Sequence, residues 1–164
     1  MCIRDSTFIE QLKNIPGVIN ASTSSRLMVG RAQSTSAIAW PGKTNDIQFE
    51  VVYATYDLIE TLGFELAEGR AFSKEYGQEA KNIIFNETAI KVMNMENPIG
   101  KQIQLWEADN YLTIIGVIKD FHYESLHENI KPMFFEFDPD DTACLLYTSP
   151  SPRDATLSRM PSSA

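Results

Sequence analysis

Apolar residues in this 164-residue chain come in short packets, each closed by a turn signal. Ile83-Ile84-Phe85, Leu112 to Ile118 and Met133 to Phe137 are strand-sized, while Ile15-Pro16-Gly17, Pro41-Gly42 and Asn97-Pro98-Ile99-Gly100-Lys101 interrupt the pattern. Buried strands take about four to eight residues, whereas a membrane-spanning helix needs roughly 18 or more. No run here approaches that length, so the sequence predicts a soluble body of short elements. The 43% hydrophobic content is ordinary for a globular core and excludes a wholly disordered chain.

The spacing of apolar residues predicts the elements in turn. Phe8, Ile9 and Leu12 share one face of a helix over 7–14, stopped by Ile15-Pro16-Gly17 and followed by a strand over 18–22. Ile47, Phe49, Val51 and Tyr53 alternate with Gln48, Glu50, Val52 and Ala54, which marks a strand with one buried face. The segment Ala37-Ile38-Ala39-Trp40 is expected to pair with it as a hairpin. A short helix over 56–63 has Asp57 as N-cap and Gly63 as its stop. Phe64-Glu65-Leu66 is extended, Glu68-Gly69-Arg70 is read as a turn, and 73–81 as an exposed polar loop.

Ile83 to Phe85 is a strand running into a helix that Asn86 caps, with Ile90 and Met93 on one face. Strands over 103–106 and 112–118 are joined at 107–110. A helical turn over 124–128 precedes a last strand over 133–137, introduced by Pro132. The fold class is therefore α+β, a mixed and mostly antiparallel sheet with short packing helices. Expected core residues are Ile9, Leu12, Val18, Phe49, Val51, Leu62, Phe85, Ile115, Val117, Phe121, Tyr123, Phe134, Phe135 and Phe137.

Both ends differ from the middle. From Thr148 to Ala164, ten of 17 residues are Ser, Thr or Pro, too few large apolar groups to offset the entropy of ordering. That stretch, with Cys144 to Tyr147 before it, resembles translated sequencing-adapter sequence, as does Met1 to Ser6. The expected division is thus 1–6 as an artefact, 7–142 as one domain, and 143–164 as a disordered tail. Both cysteines, Cys2 and Cys144, fall outside the body, which then supports neither a disulfide framework nor a thiolate metal site. The chain carries a net charge of −8, and residues 7–142, with 11 Lys and Arg against 20 Asp and Glu, carry −9. A general nucleic-acid binder needs a basic face, so that class is excluded.

Lys119-Asp120-Phe121-His122-Tyr123-Glu124 is the strongest chemical candidate. If a strand continued through it, Asp120, His122 and Glu124 would share a face and could hold a metal or exchange protons. His122 and His127 are five apart, which is off-face in either a helix or a strand. The bland reading is a polar strand end whose Asp caps a turn. Glu124 and Glu128 are read as a solvated acidic helix face. There is no phosphate-cradling glycine motif around Met28-Val29-Gly30-Arg31, no nucleophile elbow and no HExxH. Trp40 and Trp106 are read as sheet packing rather than partner anchors.

The order of motifs carries more than any one of them. Ile15-Pro16-Gly17-Val18, Leu62 to Phe72 (LGFELAEGRAF), Asn86-Glu87-Thr88-Ala89, Asn97 to Lys101 (NPIGK) and Thr113 to Glu128 together resemble the MacB-like periplasmic core domain of FtsX/MacB-type ABC transporter permeases. The resemblance covers residues 7 to 140. It implies a non-catalytic extracytoplasmic domain in the bacterial inner membrane's permease subunit, facing the periplasm. Implied partners are a cytoplasmic ABC ATPase, reached through transmembrane helices, a second permease subunit in a homodimer or heterodimer, and envelope proteins, but no nucleic acid. ATP-driven motion would then serve efflux or the handling of lipoproteins and other envelope substrates. No catalytic, cofactor-binding or metal residue follows from it, and no cofactor is expected. Two alternatives stand beside it: a free-standing periplasmic protein- or peptide-binding module using the Ser/Gly-rich 22–45 region, and a metal-dependent hydrolase using Asp120, His122 and Glu124.

Overall fold

The structure, a computed structural model, describes residues 3–25, 33–105, 109–122, 129–139 and 145–148. Helix α1 (Ile3–Lys13) is followed by strands β1 (Ala21–Ser24), β2 (Gln33–Thr35), β3 (Ile38–Ala39) and β4 (Phe49–Ala54). Then come α2 (Leu58–Thr61), β5 (Leu66–Gly69), a 3₁₀ turn (Lys74–Tyr76), β6 (Asn82–Asn86) and α3 (Glu87–Val92). Strands β7 (Gln102–Leu105), β8 (Tyr111–Ile118), β9 (Met133–Phe137) and β10 (Leu145–Thr148) complete the described elements. The described strands form one sheet in the order β10-β1-β4-β9-β6-β8-β7-β3, with β2 added to β4 and β5 to β8. Only the β4–β9 and β6–β8 pairs are parallel, so the expected mixed, mostly antiparallel α+β architecture is what the chain adopts.

Each face of the sheet buries its own apolar layer. One holds Phe49, Val51, Ile83, Phe85, Ile103, Leu112, Ile114 and Phe134 beneath Ala89 and Met93 of the α3 segment. The other holds Val52, Ala54, Ile84, Ile118, Met133, Phe135 and Phe137 beneath Leu58 and Ile59 of α2 and the Phe72 ring. The expectation of a single buried face on β4 is therefore corrected. β4 lies inside the sheet, so Phe49 and Val51 pack on one side while Val52 and Ala54 pack on the other, and strands covered on both faces lose the simple polar alternation.

The hairpin expected between 37–40 and 47–55 is not formed. β3 pairs with β7, Ile38 opposite Leu105, while β4 pairs with β1, β2 and β9. Pro41-Gly42 does turn the chain, but Trp40 drops beneath the sheet edge-on to Phe49, ring centroids 5.8 Å apart. The two segments meet through rings rather than a backbone ladder.

Gly69 was expected to make a turn and instead sits in β5, opposite Gly116 of β8. Its φ is +76°, and a Cβ there would lie 2.2 Å from the Ile115 carbonyl oxygen. A Cβ on Gly116 would lie 2.3 Å from the Arg70 carbonyl oxygen. Both glycines let two backbones touch. The contact follows a shift in the β6–β8 register, which passes from Ile83–Ile114 to Ile84–Gly116 and leaves Ile115 as the extra residue of a bulge.

At the chain ends the elements run past the expected bounds of 7 and 142. α1 begins at Ile3, and β10 pairs in register with β1, Leu145 opposite Ser24. α1 packs less closely than its periodicity predicts: Phe8 is 52% exposed, and Ile9 and Leu12 are half-buried. The strand expected at 18–22 starts only at Ala21, because Val18 is still turned back onto the Ile15 carbonyl. The helical turn expected at 124–128 lies outside the described residues, as do Trp106 and Tyr123.

Candidate functional site

Parallel pairing of β4 with β9 and of β6 with β8 gathers the start of β4, the ends of β6 and β8, and the start of β9 at one end of the sheet. Polar residues from these strand ends, from the segments that flank them and from α3 collect there: Glu50, Asn86, Glu87, Thr88, Lys91, Asp120 and Lys131. Asn86 takes the extended conformation of an N-cap and accepts the Ala89 amide through Oδ1 at 3.0 Å, as its place before a helical run predicts. The same Oδ1 accepts the Met133 amide at 2.9 Å, and Nδ2 donates to the Lys131 carbonyl at 3.0 Å. A cap readable from local sequence thus also fixes a strand 47 residues away.

Asp120 does not lie on an extended face with His122. β8 ends at Ile118, and the Asp120 carboxylate turns onto α3, accepting the Thr88 amide and the Thr88 hydroxyl, each at 2.8 Å. Lys91 Nζ approaches the same carboxylate at 3.3 Å, and the Asp120 amide donates to Glu87 Oε2 at 3.1 Å. The condition for a shared face is not met: β8 stops at Ile118, and helix donors reach both Asp120 oxygens. His122 is exposed, and Glu124, His127 and Glu128 lie outside the described residues. Among the described residues no three His, Cys, Asp or Glu side chains come together as metal ligands. Phe121 stacks on Phe64 with centroids 4.0 Å apart, so the segment leaving β8 is held by a ring as well as by charge.

Glu50, on the neighbouring strand, is a different case. Its side chain is 10% exposed, Lys131 Nζ lies 3.5 Å from Oε1, and Oε2 meets no hydrogen-bond donor among the described residues.

A second polar cluster was missed altogether. Residues 73–81 were expected to be an exposed loop, yet the Glu79 side chain is fully buried. Arg70 donates to it from Nη1 at 2.6 Å and from Nη2 at 3.3 Å, and the Ser73 amide and the Asn82 amide group also donate to it. Burial pushes this carboxyl upward, but the donors from Arg70, Asn82 and Ser73 outweigh it and hold it below the usual carboxylate value. Arg70 also lies over the Tyr76 ring, 4.0 Å from its centroid. Nothing in the local sequence marks Glu79 among its polar neighbours; only the fold brings Arg70 to it.

Part of the 22–45 region is used internally, while Gln33, Ser34, Ala37, Pro41, Gly42, Thr44 and Asn45 are exposed. Ser22, Thr23 and Ser24 are buried in β1, where the Ser22 hydroxyl donates to the Tyr56 carbonyl at 2.7 Å and Thr55 Oγ1 donates to the Thr23 carbonyl at 2.9 Å. Lys43 Nζ donates to the Ser36 and Ile38 carbonyls. Asp57 precedes α2 as expected but makes no side-chain cap; its φ is +63°, and it pairs with Lys13 at 2.6 Å.

Comparison with known proteins adds the family. No curated protein matches the chain. Among solved structures, the fold is similar to the periplasmic region of MacB from Actinobacillus actinomycetemcomitans, with a TM-score of 0.59 at 14% identity, over 93% of this chain and 69% of that one. It is also similar to the extracellular domain of the noncanonic ABC-type transporter YknZ from Gram-positive bacteria, with a TM-score of 0.57 at 14% identity, over 92% of this chain and 74% of that one. At such identities the likeness is one of fold. Among the described residues no helix is long and apolar enough to cross a membrane. A family model for the MacB-like periplasmic core domain matches residues 5–149, and on that span of sequence the chain belongs to the MacB-like periplasmic core domain family.

Proposed function

We propose that the chain is the non-catalytic extracytoplasmic domain of an ABC transporter permease subunit, coupling cytoplasmic ATP hydrolysis to efflux or to the handling of lipoproteins and other envelope substrates. The observation that carries this reading is the family match over residues 5–149, which takes in every described strand. The internal pairing of the polar sheet end supports a mechanical rather than a chemical role. Asp120 is bonded to Thr88 and Lys91, and Asn86 to Ala89, Lys131 and Met133, so these side chains hold elements of the fold together. Its partners in this reading are a cytoplasmic ATPase acting through transmembrane helices, a second permease subunit, and envelope proteins on the periplasmic side of the inner membrane.

The test is to sequence the source DNA without interruption across both ends of this chain. Apolar spans of about 20 residues on both sides, with Lys- and Arg-rich cytoplasmic loops, are the expected result. A reading frame lacking such spans would overturn it.

A further inference from the structure

The first turn of α3 touches both ends of a single connection. It grips the segment leaving β8 through Thr88 and Glu87, which bond the carboxylate and the amide of Asp120. It grips the segment entering β9 through Asn86, which bonds the Lys131 carbonyl and the Met133 amide. We propose that Asn86-Glu87-Thr88 is a shared clasp that couples the exit of β8 to the entry of β9, so that loosening one loosens the other.

The coupling has a physical route. α3 has six residues, too few to hold its own first turn in water, so that turn depends on acceptors from outside the helix. Asp120 supplies the acceptor for the Thr88 amide and hydroxyl, and Asn86 supplies the one for Ala89. Asn86 Oδ1 serves Ala89 and Met133 together, so a change in the helix turn moves the acceptor that the Met133 amide uses. The helix turn links the two grips. This coupling is a property of the chain by itself and would survive failure of the permease reading.

Amide hydrogen exchange in the full 164-residue chain, read residue by residue by NMR, tests it. Asp120→Ala is expected to raise exchange of the Met133 amide about tenfold, although that amide bonds Asn86 and not Asp120, while Ile84 in the middle of β6 is unchanged. Linkage requires the converse: Asn86→Asp, which keeps the acceptor but loses the donor to Lys131, should raise exchange of the Asp120 amide by a similar factor. Should Asp120→Ala fail to fold, Thr88→Val removes only the hydroxyl donor and is expected to give about a threefold rise at Met133. Faster exchange at Thr88 with Met133 unchanged would overturn the clasp and leave two independent caps. A parallel rise at Met133 and Ile84 would overturn it as well, since that is global destabilisation.

Discussion

Two carboxylates are buried in this domain on opposite terms. Glu79, in the segment between β5 and β6, has a side chain with no exposure and takes hydrogen bonds from Arg70, Ser73 and Asn82. Glu50, at the polar end of the sheet, is nearly as buried, but one oxygen lies 3.5 Å from Lys131 and the other meets no donor among the described residues. A buried charge is tolerable when its lone pairs are filled and costly when they are not. Glu79 therefore works as a fastener that pins a polar loop to the sheet, whereas Glu50 has one long contact to Lys131 and little else among the described residues to hold it. The comparison shows that burial by itself does not tell whether an ionised group stabilises a fold.

The largest effect that could break this contrast is Glu79→Ala. It leaves the Arg70 guanidinium with the Ala71 carbonyl and the Tyr76 ring but no carboxylate, and is expected to lower unfolding free energy by about 3 kcal/mol in urea titrations. The same group sets an acid limb. Its folded value lies below the ordinary 4.5, so its stabilisation is complete above that pH and is lost as pH falls through the lower folded value. In Glu79→Gln that part of the acid loss should vanish from thermal midpoints measured between neutral and strongly acidic pH; an unchanged acid profile would contradict the fastener role.

Gly116→Ala comes next. A Cβ there would collide with the Arg70 carbonyl at 2.3 Å and push the guanidinium's own backbone off the sheet, costing about 2–3 kcal/mol by denaturant melt. Arg70→Lys keeps the charge but gives up the two-pronged hold on Glu79, and about 1–2 kcal/mol is the expected loss in the same assay. The smallest change belongs to Glu50→Gln, expected to lie within about 1 kcal/mol of the parent or to stabilise it, since it removes a half-paired buried charge. A loss there comparable to that of Glu79→Ala would erase the distinction between the two sites.

What was legible in the sequence was local. Asn86 three residues before Ala89, the proline and glycine of Asn97 to Lys101, and the packets at 83–85, 112–118 and 133–137 all announce their own conformations through capping, fixed φ or apolar runs. Gly100 has its φ at +83° and donates to the Ile114 carbonyl at 2.8 Å, as that turn requires. The illegible parts were pairings across the chain. Asp120 finds Thr88 over a separation of 32 residues, Asn86 finds Met133 over 47, and Ile38 finds Leu105 rather than the nearer β4. A polar residue such as Glu79 looks the same in sequence whether it faces water or a guanidinium.

The sequence by itself determined the class of this protein: short strands, short helices, several of the turns and an ordered set of motifs that names its family. Those features depend on the torsional preferences and spacing of neighbouring residues, which the chain carries wherever it goes. Only the tertiary structure decided that β4 is buried on both faces, that Gly69 and Gly116 lie back to back, and that one helix turn holds both β8 and β9. Those outcomes depend on which distant surfaces exclude water together, and that selection is made by the whole fold.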